Sequence, residues 1–346
     1  MTYFDPFCIS SYLAFRYVAK PDVPWKPGVC PTFPVIPEDA KVAVVSADEM
    51  LAALRAIMSA RVTGATGILL SGGIDSAILA ALMPRGSKAY TIRFVAEGAV
   101  DESIRAAQYA GITGLEHHVV DVGWADYLAY SDLLMRHKKS PLHAVEVGLY
   151  KAASLAKSHG VSRLVLGNGA DSTFGGLDKL LSRDWSFDDF VKRYTFIDPV
   201  AAAAQPMPVL DIYQPYRKGD GIDVIGFLKT VHGLGVVQAF DNAMACAGCD
   251  TLEPYEELYL NAELDLARIR AGESKYLVRE VFRKLYPDLE TSEKIAFARP
   301  MEQWLADWKG PTRPEFRQDL DLNGFSGDQK WLLYCLERFL NLMETP

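Results

Sequence analysis

The chain has 346 residues, of which 49% are hydrophobic and 23% charged, a balance typical of a globular protein with a large buried core. Its 36 basic and 44 acidic side chains give a net charge of -8, which argues against a nucleic-acid-binding protein because such proteins neutralise phosphates with basic residues. No apolar run approaches the roughly 18 residues of a membrane-spanning helix, the N-terminus lacks signal-peptide features, and the five cysteines are scattered. We therefore expect a cytoplasmic protein that binds neither a membrane nor nucleic acid.

The N-terminal region is rich in proline and aromatic residues. Six prolines between positions 21 and 37 prevent a long helix beyond Lys20. This pattern predicts a short helix over Ile9–Val18 and then an extended strap. From Ala47 to Arg61 the apolar residues recur with helical spacing and predict an amphipathic helix.

Strand and helix patterns alternate from residue 66 onward and predict a doubly wound parallel α/β sheet. The predicted strands are Thr66–Leu70, Lys88–Phe94, His117–Val122 and Arg163–Leu166, and the predicted helices begin at Ala77 or span Asp101–Ala110 and Ala144–His159. After about residue 180 the strand signals fade, and the remaining predicted helices are Phe187–Tyr194, Tyr255–Ala271, Lys275–Leu285, Met301–Trp308 and Asp328–Met343. We therefore predict a strap (1–46), an α/β domain (47–180) and a mostly helical C-terminal part (181–346).

A glycine-rich loop joins the first predicted strand of the sheet to its helix, with the sequence SGGIDS. Gly72 and Gly73 allow the main chain to approach a ligand closely, while Ser71 and Ser76 offer hydroxyl donors. The start of the following helix favours an anion. Because Asp75 would repel a phosphate unless a cation lay between them, we interpret it as a Mg²⁺ ligand. The alternative is a turn that only caps a core helix.

This loop resembles the signature of the PP-loop ATP pyrophosphatases, which adenylate a substrate and release pyrophosphate. The GxxxxGK[ST] loop of γ-phosphate-transferring enzymes is absent. The resemblance therefore implies that ATP is the bound nucleotide and that it is cleaved between the α- and β-phosphates.

Further segments resemble the synthetase domain of asparagine synthetase and its relative β-lactam synthetase. The resemblance covers most of residues 10–305 and is strong at two motifs and loose between them. The matching segments are SSYLAFRYVAKPDVPWKPGV (10–29), GILLSGGIDSAILAAL (67–82), YTIRF followed by DESIRAAQYA, LVLGNGADSTFGG (164–176), EPYEE (253–257), SKYLVREVFRKLYP and EKIAFARPMEQWL.

The second matching motif places Asp171 in a glycine-rich loop after an apolar strand. It should therefore lie beside the SGGIDS loop at the carboxyl edge of the sheet, where open α/β sheets bind ligands. The resemblance implies that Asp75 and Asp171 together hold Mg²⁺ against the triphosphate. An aspartate that merely forms a turn is the alternative for Asp171.

The resemblance also implies roles for two lysines and for the adenosine site. Lys275 and Lys294 match lysines that contact the phosphates, and the equivalent of Lys294 in β-lactam synthetase also stabilises the transition state. Cations suit this position because adenylation concentrates negative charge on the departing pyrophosphate, although a lysine judged by pattern alone is usually a solvated surface charge. The resemblance further implies that the backbone around Thr91–Phe94, which includes Arg93, lines the adenosine together with Gly167.

Three departures from the family pattern cluster where the acceptor substrate should lie. Ser172 replaces a glutamate, Ser292 replaces an arginine, and Pro254-Tyr-Glu-Glu257 replaces Pro-Phe-Leu-Asp. These changes argue against asparagine as the product. The N-terminal glutaminase of bifunctional family members is also not expected, because residue 2 is threonine rather than a nucleophilic cysteine. Ammonia or an amine should then come from solution, from the substrate, or from a separate amidotransferase or carrier protein.

Two weaker signals leave alternatives open. Cys246 and Cys249 form a CxxC pair, which supplies only two of the three or four ligands that a metal site or cluster needs. Glu146 follows His143 at a predicted helix start, where it could act as a base on the amine or lie exposed and interact with the helix dipole.

The leading hypothesis is an ATP- and Mg²⁺-dependent, AMP-forming ligase that adenylates a small-molecule carboxylate for attack by ammonia or an amine. One alternative is a PP-loop sulfur-transfer enzyme acting on tRNA, suggested by the CxxC pair. The other is a non-catalytic ATP-binding scaffold, suggested by Ser172 and Ser292.

Overall fold

The structure is a computed structural model that describes residues 3–34, 41–290 and 299–344. Its strands are β1 (Val42–Val44), β2 (Thr66–Leu69), β3 (Lys88–Phe94), β4 (Glu116–Val122), β5 (Arg163–Val165), β6 (Arg217–Lys218), β7 (Gly221–Ile222), β8 (Asp250–Leu252) and β9 (Leu258–Leu260). The helices up to residue 194 are α1 (Pro6–Phe15), α2 (Ala47–Arg61), α3 (Ile74–Ala80), α4 (Ser103–Thr113), α5 (Trp124–Lys138), α6 (Glu146–Ser158), α7 (Ala170–Thr173), α8 (Asp178–Leu181) and α9 (Phe187–Tyr194). Those that follow are α10 (Pro199–Ala202), α11 (Leu210–Tyr213), α12 (Val224–Phe227), α13 (Gly233–Cys246), α14 (Leu266–Arg270), α15 (Tyr276–Leu285), α16 (Met301–Trp304) and α17 (Gly327–Glu344).

The main sheet is parallel throughout and has the strand order β4-β3-β2-β5-β8. The chain adds β3 and β4 on one side of β2 and then returns to place β5 on the other side. The connections that leave β2 and β5 therefore diverge, and a crevice opens at the carboxyl ends of these two strands. This topology confirms the predicted doubly wound α/β fold.

Helices cover both faces of the main sheet, which explains its short, apolar strands. On one face, α2, α3, α4 and α15 pack over Ala89 and Val165. On the other face, α5, α6 and α13 pack over Tyr90 and Leu164. Neighbouring residues of one strand thus enter opposite cores, as the two-residue period of a strand requires.

The C-terminal part contributes more to the sheets than its sequence pattern indicated. The fifth strand of the main sheet, β8, comes from beyond residue 180, and β9 pairs in parallel with β1. The predicted helix over Tyr255–Ala271 is wrong, since that range contains β9 and the short helix α14. The sequence pattern also missed α5 and α13.

The last turn of α1 packs against a smaller helical cluster formed by α9, α11 and α12. Its core is aromatic, with Phe15, Phe190, Tyr213 and Phe227 all buried. The Asp5 side chain caps the start of α1, and the helix ends at Arg16, which adopts a left-handed backbone conformation. Among the described residues, no helix is both long and apolar enough to cross a membrane.

Candidate active site

The SGGIDS loop leaves the carboxyl end of β2 and enters α3 in the crevice of the main sheet. Its two serines hold the loop closed, because the Ser71 N–H donates to Ser76 Oγ at 3.0 Å and the two hydroxyl oxygens lie 2.9 Å apart. The N–H of Gly73 also donates to Ser71 Oγ at 3.1 Å. The serines therefore fix the loop's shape in addition to offering hydroxyls to a ligand.

The second acidic loop follows β5 and packs tightly against the first. A Cβ atom added to Gly167 would lie 3.3 Å from Asp75 Cβ, so only a very small residue allows this approach. A Cβ atom on Gly176 would lie 1.9 Å from Asp171 Oδ1. The glycines around α7 thus make room for the Asp171 carboxylate.

The two loop aspartates meet on the ammonium of Lys275. Its Nζ lies 2.9 and 2.6 Å from the two carboxylate oxygens of Asp75 and 2.9 Å from Asp171 Oδ1. The lysine side chain is 6% exposed, whereas those of Asp75 and Asp171 are 21% and 39% exposed. The structure therefore brings together three predicted site residues that lie far apart along the chain.

Electrostatics keep this lysine charged. Burial alone would lower the pKa of Lys275, but the negative charges of Asp75 and Asp171 outweigh that effect and raise it. The two carboxylates, for their part, share one cation at hydrogen-bonding distance.

The backbone of Lys275 is unusual, with a φ of 53° in the left-handed region. Such a conformation costs a residue other than glycine roughly 1–2 kcal/mol. The Lys275 N–H donates to the carbonyl of Gly175 at 3.3 Å, directly beside the loop that holds Asp171. Backbone strain of this kind is typical of functional sites, where it positions a side chain.

A cavity of about 350 Å³ opens beside the two loops. Six predicted site residues line it, namely Ser71, Asp75, Ser76, Thr91, Gly167 and Asp171. Its apolar wall includes Ile92, Leu149, Leu166 and Phe240. A cavity with one polar and one apolar side suits a nucleotide, which presents phosphates at one end and a flat base at the other.

Thr91 is held firmly at this cavity. Its hydroxyl donates to the carbonyl of Leu70 at 2.5 Å and lies 2.7 Å from His117 Nε2. Because the threonine proton is directed to the carbonyl, His117 supplies its own ring N–H to Thr91 Oγ1.

Of the segment Thr91–Phe94, whose backbone was expected at the adenosine, Thr91 and Ile92 line the cavity. Arg93 does not line the cavity, and its guanidinium makes two hydrogen bonds with Asp121 at 2.6 and 2.9 Å near the surface. Phe94 is buried in the core. Gly72 and Gly73 shape the phosphate loop without lining the cavity.

Both interpretations of Glu146 need correction. The residue is fully buried, so it is not an exposed helix-start carboxylate, and it does not line the cavity. Its Oε1 lies 2.7 Å from Lys138 Nζ, and its Oε2 accepts a hydrogen bond from Asn242 at 2.6 Å. Burial raises the pKa of Glu146, while Lys138 and the hydrogen bonds to the carboxylate oppose that effect. Glu146 is therefore one half of a buried ion pair in the core.

Lys294 and Ser292 lie outside the described residues. Ser172, the other departure in the acidic loop, donates its hydroxyl to the carbonyl of Gly169 at 3.3 Å. The two CxxC cysteines are free thiols, and burial raises the pKa of each. The described part of the chain contains no cluster of three or more metal-ligating side chains.

The cavity is also lined by polar residues that were not predicted from the sequence, including Glu102, Asn168 and Arg299. Burial raises the pKa of Glu102, although its carboxylate accepts a hydrogen bond from the Gly72 N–H. Its position at the start of a predicted helix, after the second strand, was a usable signal. Asn168 also hydrogen-bonds Glu253 at 3.3 Å.

The donor set of Asp75 and Asp171 fits a divalent cation. Both side chains present carboxylate oxygens, which Mg²⁺ prefers, and both already approach one positive charge. With Mg²⁺ bound, these two residues would hold the ion beside the phosphate loop.

Comparison with known proteins agrees with this geometry. Residues 47–218 match the family model described as asparagine synthase. A curated relative, Amidase chry2 of Gibberella zeae, is 27% identical over 149 residues, which are 38% of this chain and only 22% of that protein. The chain's match thus spans about a fifth of that relative.

Two solved structures are similar at low sequence identity. NMN synthetase from Francisella tularensis shares 13% identity over 73% of this chain and 96% of its own, with a TM-score of 0.26. The U34-tRNA thiolase NcsA from Methanococcus maripaludis, solved with its 4Fe-4S cluster, shares 14% identity. The match covers 72% of this chain and 83% of that structure's chain, with a TM-score of 0.28. These TM-scores are too low to support a conclusion about function. The family match, together with the geometry of the two loops, supports an ATP-using enzyme. The chain therefore contains an asparagine synthase family domain over residues 47–218, the range that includes both loops.

Proposed function

We propose that this protein is an AMP-forming ligase that adenylates a carboxylate and transfers the acyl group to ammonia or an amine. The observation that carries this proposal is the meeting of Asp75 and Asp171 on Lys275 at the polar side of the cavity. Two carboxylates can hold a metal ion, and the buried ammonium adds a second positive charge. Both positive charges would stabilise the negative charge that develops on the departing pyrophosphate.

The cavity suggests how ATP is bound. The adenosine packs against the apolar wall at Ile92 and Leu149, near the fixed hydroxyl of Thr91. The triphosphate then extends toward Ser71 and Asp75. In this orientation the α-phosphate lies between the adenosine and the carboxylates of Asp75 and Asp171.

The reaction then proceeds in two balanced steps. A carboxylate oxygen of the substrate attacks the α-phosphorus, the bond between the α-phosphorus and the bridging oxygen breaks, and pyrophosphate leaves with that oxygen. A nitrogen nucleophile next attacks the acyl carbon and displaces AMP, and the nitrogen loses a proton. Mg²⁺, held by Asp75 and Asp171, would offset the negative charge of the phosphates.

Lys275 stabilises the leaving group. Its ammonium stays charged because of the two aspartates, and it contacts the same carboxylates that would hold Mg²⁺ beside the phosphates. Positive charge placed before the reaction costs no reorganisation during it, which is why such groups lower the barrier strongly. The nitrogen comes from free ammonia, an amine substrate, or a partner amidotransferase or carrier protein.

Hydroxylamine offers a direct test, because it converts an acyl-adenylate to a hydroxamate. Purified protein is incubated with ATP, Mg²⁺, hydroxylamine and a panel of carboxylic acids, and AMP, ADP, pyrophosphate and hydroxamate are measured. We expect equal amounts of AMP, pyrophosphate and hydroxamate with at least one acid. Production of ADP would contradict the proposal, and ATP binding without any pyrophosphate would favour a non-catalytic scaffold.

Matched aspartate variants identify the site responsible. Asp171→Asn should lower the rate of hydroxamate formation at least about 100-fold, because it removes one of the two carboxylates that contact Lys275 and would hold Mg²⁺. Asp184→Asn is the control, since Asp184 pairs with Arg270 at the surface and its side chain is 93% exposed. Equal rates for the two variants would separate the activity from this site.

A further inference from the structure

Buried tyrosines pin the main chain on both sides of His143, a residue that lines the cavity. The Tyr12 hydroxyl donates to the carbonyl of Leu142 at 2.8 Å, and the Tyr127 hydroxyl donates to the carbonyl of Ala144 at 2.6 Å. Both tyrosine side chains are fully buried. These bonds leave the main chain at His143 little freedom to move.

The buried ion pair of Glu146 and Lys138 adds a third anchor. Glu146 Oε1 accepts a hydrogen bond from the main-chain N–H of His143 at 2.6 Å, and the same oxygen lies 2.7 Å from Lys138 Nζ. Asn242 donates to the other carboxylate oxygen at 2.6 Å. Apolar residues of similar volume often stabilise a core as well as a buried ion pair does. Holding His143 in place gives this pair a use that stability alone does not.

The imidazole ring of His143 is fixed as well. The Val145 N–H donates to His143 Nδ1 at 3.3 Å, so the proton of the uncharged ring is on Nε2. Among residues 3–34, 41–290 and 299–344, no group forms a hydrogen bond with Nε2, and this atom is not enclosed in the core. The Nε2–H is therefore a donor for a ligand in the cavity.

His143 is uncharged at neutral pH. Burial lowers its pKa well below the ordinary value, and the charges of nearby basic side chains lower it further, namely Arg16, Arg299, Lys138 and His232. Because Nδ1 already accepts the Val145 N–H, the ring could take up a proton only by breaking that bond. His143 is thus suited to donate a hydrogen bond and unsuited to act as a base.

The proposed reaction develops negative charge at two places. On the phosphates, that charge is met by Lys275 and by the metal ion that Asp75 and Asp171 would hold. In the second step it appears on the acyl oxygen, when the nitrogen attacks the acyl carbon. An N–H donor fixed in place before the reaction stabilises such an oxygen, and an uncharged histidine can polarise a carbonyl in this way.

We propose that His143 is a catalytic residue whose Nε2–H donates a hydrogen bond to the acyl oxygen of the adenylated substrate. This inference rests on the proposed ligase reaction. As the nitrogen bonds to the acyl carbon, an electron pair of the C=O bond moves to the oxygen, which His143 stabilises while keeping its own proton. When the C=O bond forms again, AMP leaves and the nitrogen loses a proton to water. Glu146 is then a positioning residue that acts through His143.

Two substitutions distinguish a hydrogen-bond donor from a base and from a helix cap. His143→Asn keeps an oxygen that can accept the Val145 N–H, but its side chain is too short to place a donor at the position of Nε2. His143→Gln brings an amide N–H to that position and cannot act as a base. Both variants are compared with the wild type in ATP–pyrophosphate exchange, which requires adenylation only, and in hydroxamate formation, which also requires attack on the acyl carbon.

We expect His143→Asn to keep the Tm and the pyrophosphate exchange of the wild type but to form hydroxamate about 100-fold more slowly, the usual effect of removing one oxyanion donor. His143→Gln should restore hydroxamate formation to within about tenfold of the wild type. Equal losses in the two variants would indicate a base, and parallel losses in exchange would place the donor at the phosphates. Full activity of His143→Asn would reduce His143 to a helix cap. Each of these three outcomes overturns the inference.

The binding of two stable nucleotides keeps this inference separate from the proposed function. The first, 5′-O-(N-acetylsulfamoyl)adenosine, carries an acyl oxygen as an acyl-adenylate does, and the second, 5′-O-sulfamoyladenosine, lacks it. In calorimetric titrations, His143→Asn should bind the acetylated compound about tenfold more weakly than the wild type does, and the other compound equally well. This result in a protein that never releases pyrophosphate would retain the donor and reject the proposed reaction. Pyrophosphate release by a protein whose His143→Asn variant binds the acetylated compound as tightly as the wild type would retain the reaction and overturn the role of His143.

Discussion

Replacing Lys275 with methionine removes the ammonium from between Asp75 and Asp171 and leaves both carboxylates facing each other. Breaking a buried ion pair by removing one partner typically costs about 3–5 kcal/mol. Here the Asp171 side chain is 39% exposed, so water screens part of the repulsion. We expect the free energy of unfolding to fall by about 2–3 kcal/mol in the absence of divalent cations.

Mg²⁺ should reverse much of this loss, because the two carboxylates then form an unblocked cation site. A ligand present at 100 times its dissociation constant adds about 2.7 kcal/mol to the stability of the folded state. In the wild-type protein the metal ion must compete with the Lys275 ammonium for the same oxygens, so its effect without nucleotide should be much smaller. Denaturant unfolding with and without Mg²⁺ measures both effects.

Lys284→Met is the appropriate control. Lys284 belongs to α15, the helix that Lys275 precedes, but it pairs at the surface with Asp48, whose side chain is 80% exposed. This variant should change stability by less than about 1 kcal/mol and should not respond to Mg²⁺. If Lys275→Met were as stable as the wild type and insensitive to Mg²⁺, the acidic pair would not be a cation site.

Three more predictions concern other parts of the site. Gly176→Ala should lower kcat/KM about 100-fold, because the new Cβ would displace Asp171. Gly111→Ala is the control and should leave the kinetics unchanged, since no atom lies within 4 Å of its new Cβ. Glu146→Ala should destabilise the protein by about 3–5 kcal/mol in urea unfolding, because its buried partner Lys138 loses its counter-charge. A raised KM for ATP without loss of stability would argue instead for a catalytic role. Burial raises the pKa of Glu253 from 4.5 to about 7, so the folded state holds this proton more tightly, and stability should fall between pH 4.5 and 7. Urea unfolding of Glu253→Gln should lack this decline, so its free energy of unfolding at pH 8 should exceed that of the wild type by about 2–3 kcal/mol. A pH profile equal to that of the wild type would contradict the assignment.

The meeting of Asp75 and Asp171 was predictable from sequence alone. Each follows an apolar strand of a parallel sheet, and such strands end at the same edge. The contact of Lys275 with both was not predictable from pattern, because it comes from a distant helix start and depends on a left-handed backbone conformation. Only the family resemblance indicated that lysine.

The errors of sequence interpretation have physical causes. Glu146 was misjudged because its partner, Lys138, belongs to a residue type that is rarely buried, and nothing local to the sequence shows that both enter the core. The side chain of Arg93 was likewise not predictable, because its guanidinium pairs with Asp121 on the neighbouring strand. The strand β8 is three residues long, too short to give a periodic signal.

The parallel pairing of β1 with β9 affects how the chain acquires its structure. Val42 pairs with Leu258, and the edge strand β8 and the helix that follows Lys275 also come late in the chain. Contacts so distant in sequence form slowly, since a large loop must close before they can add stability. During synthesis from the N-terminus, the phosphate loop therefore emerges long before the residues that complete its surroundings. A fragment that ends at residue 218, the limit of the family match, would expose the open edge of β5 and leave both aspartates without their lysine. The newly made chain should bind ATP only after nearly all of it has left the ribosome.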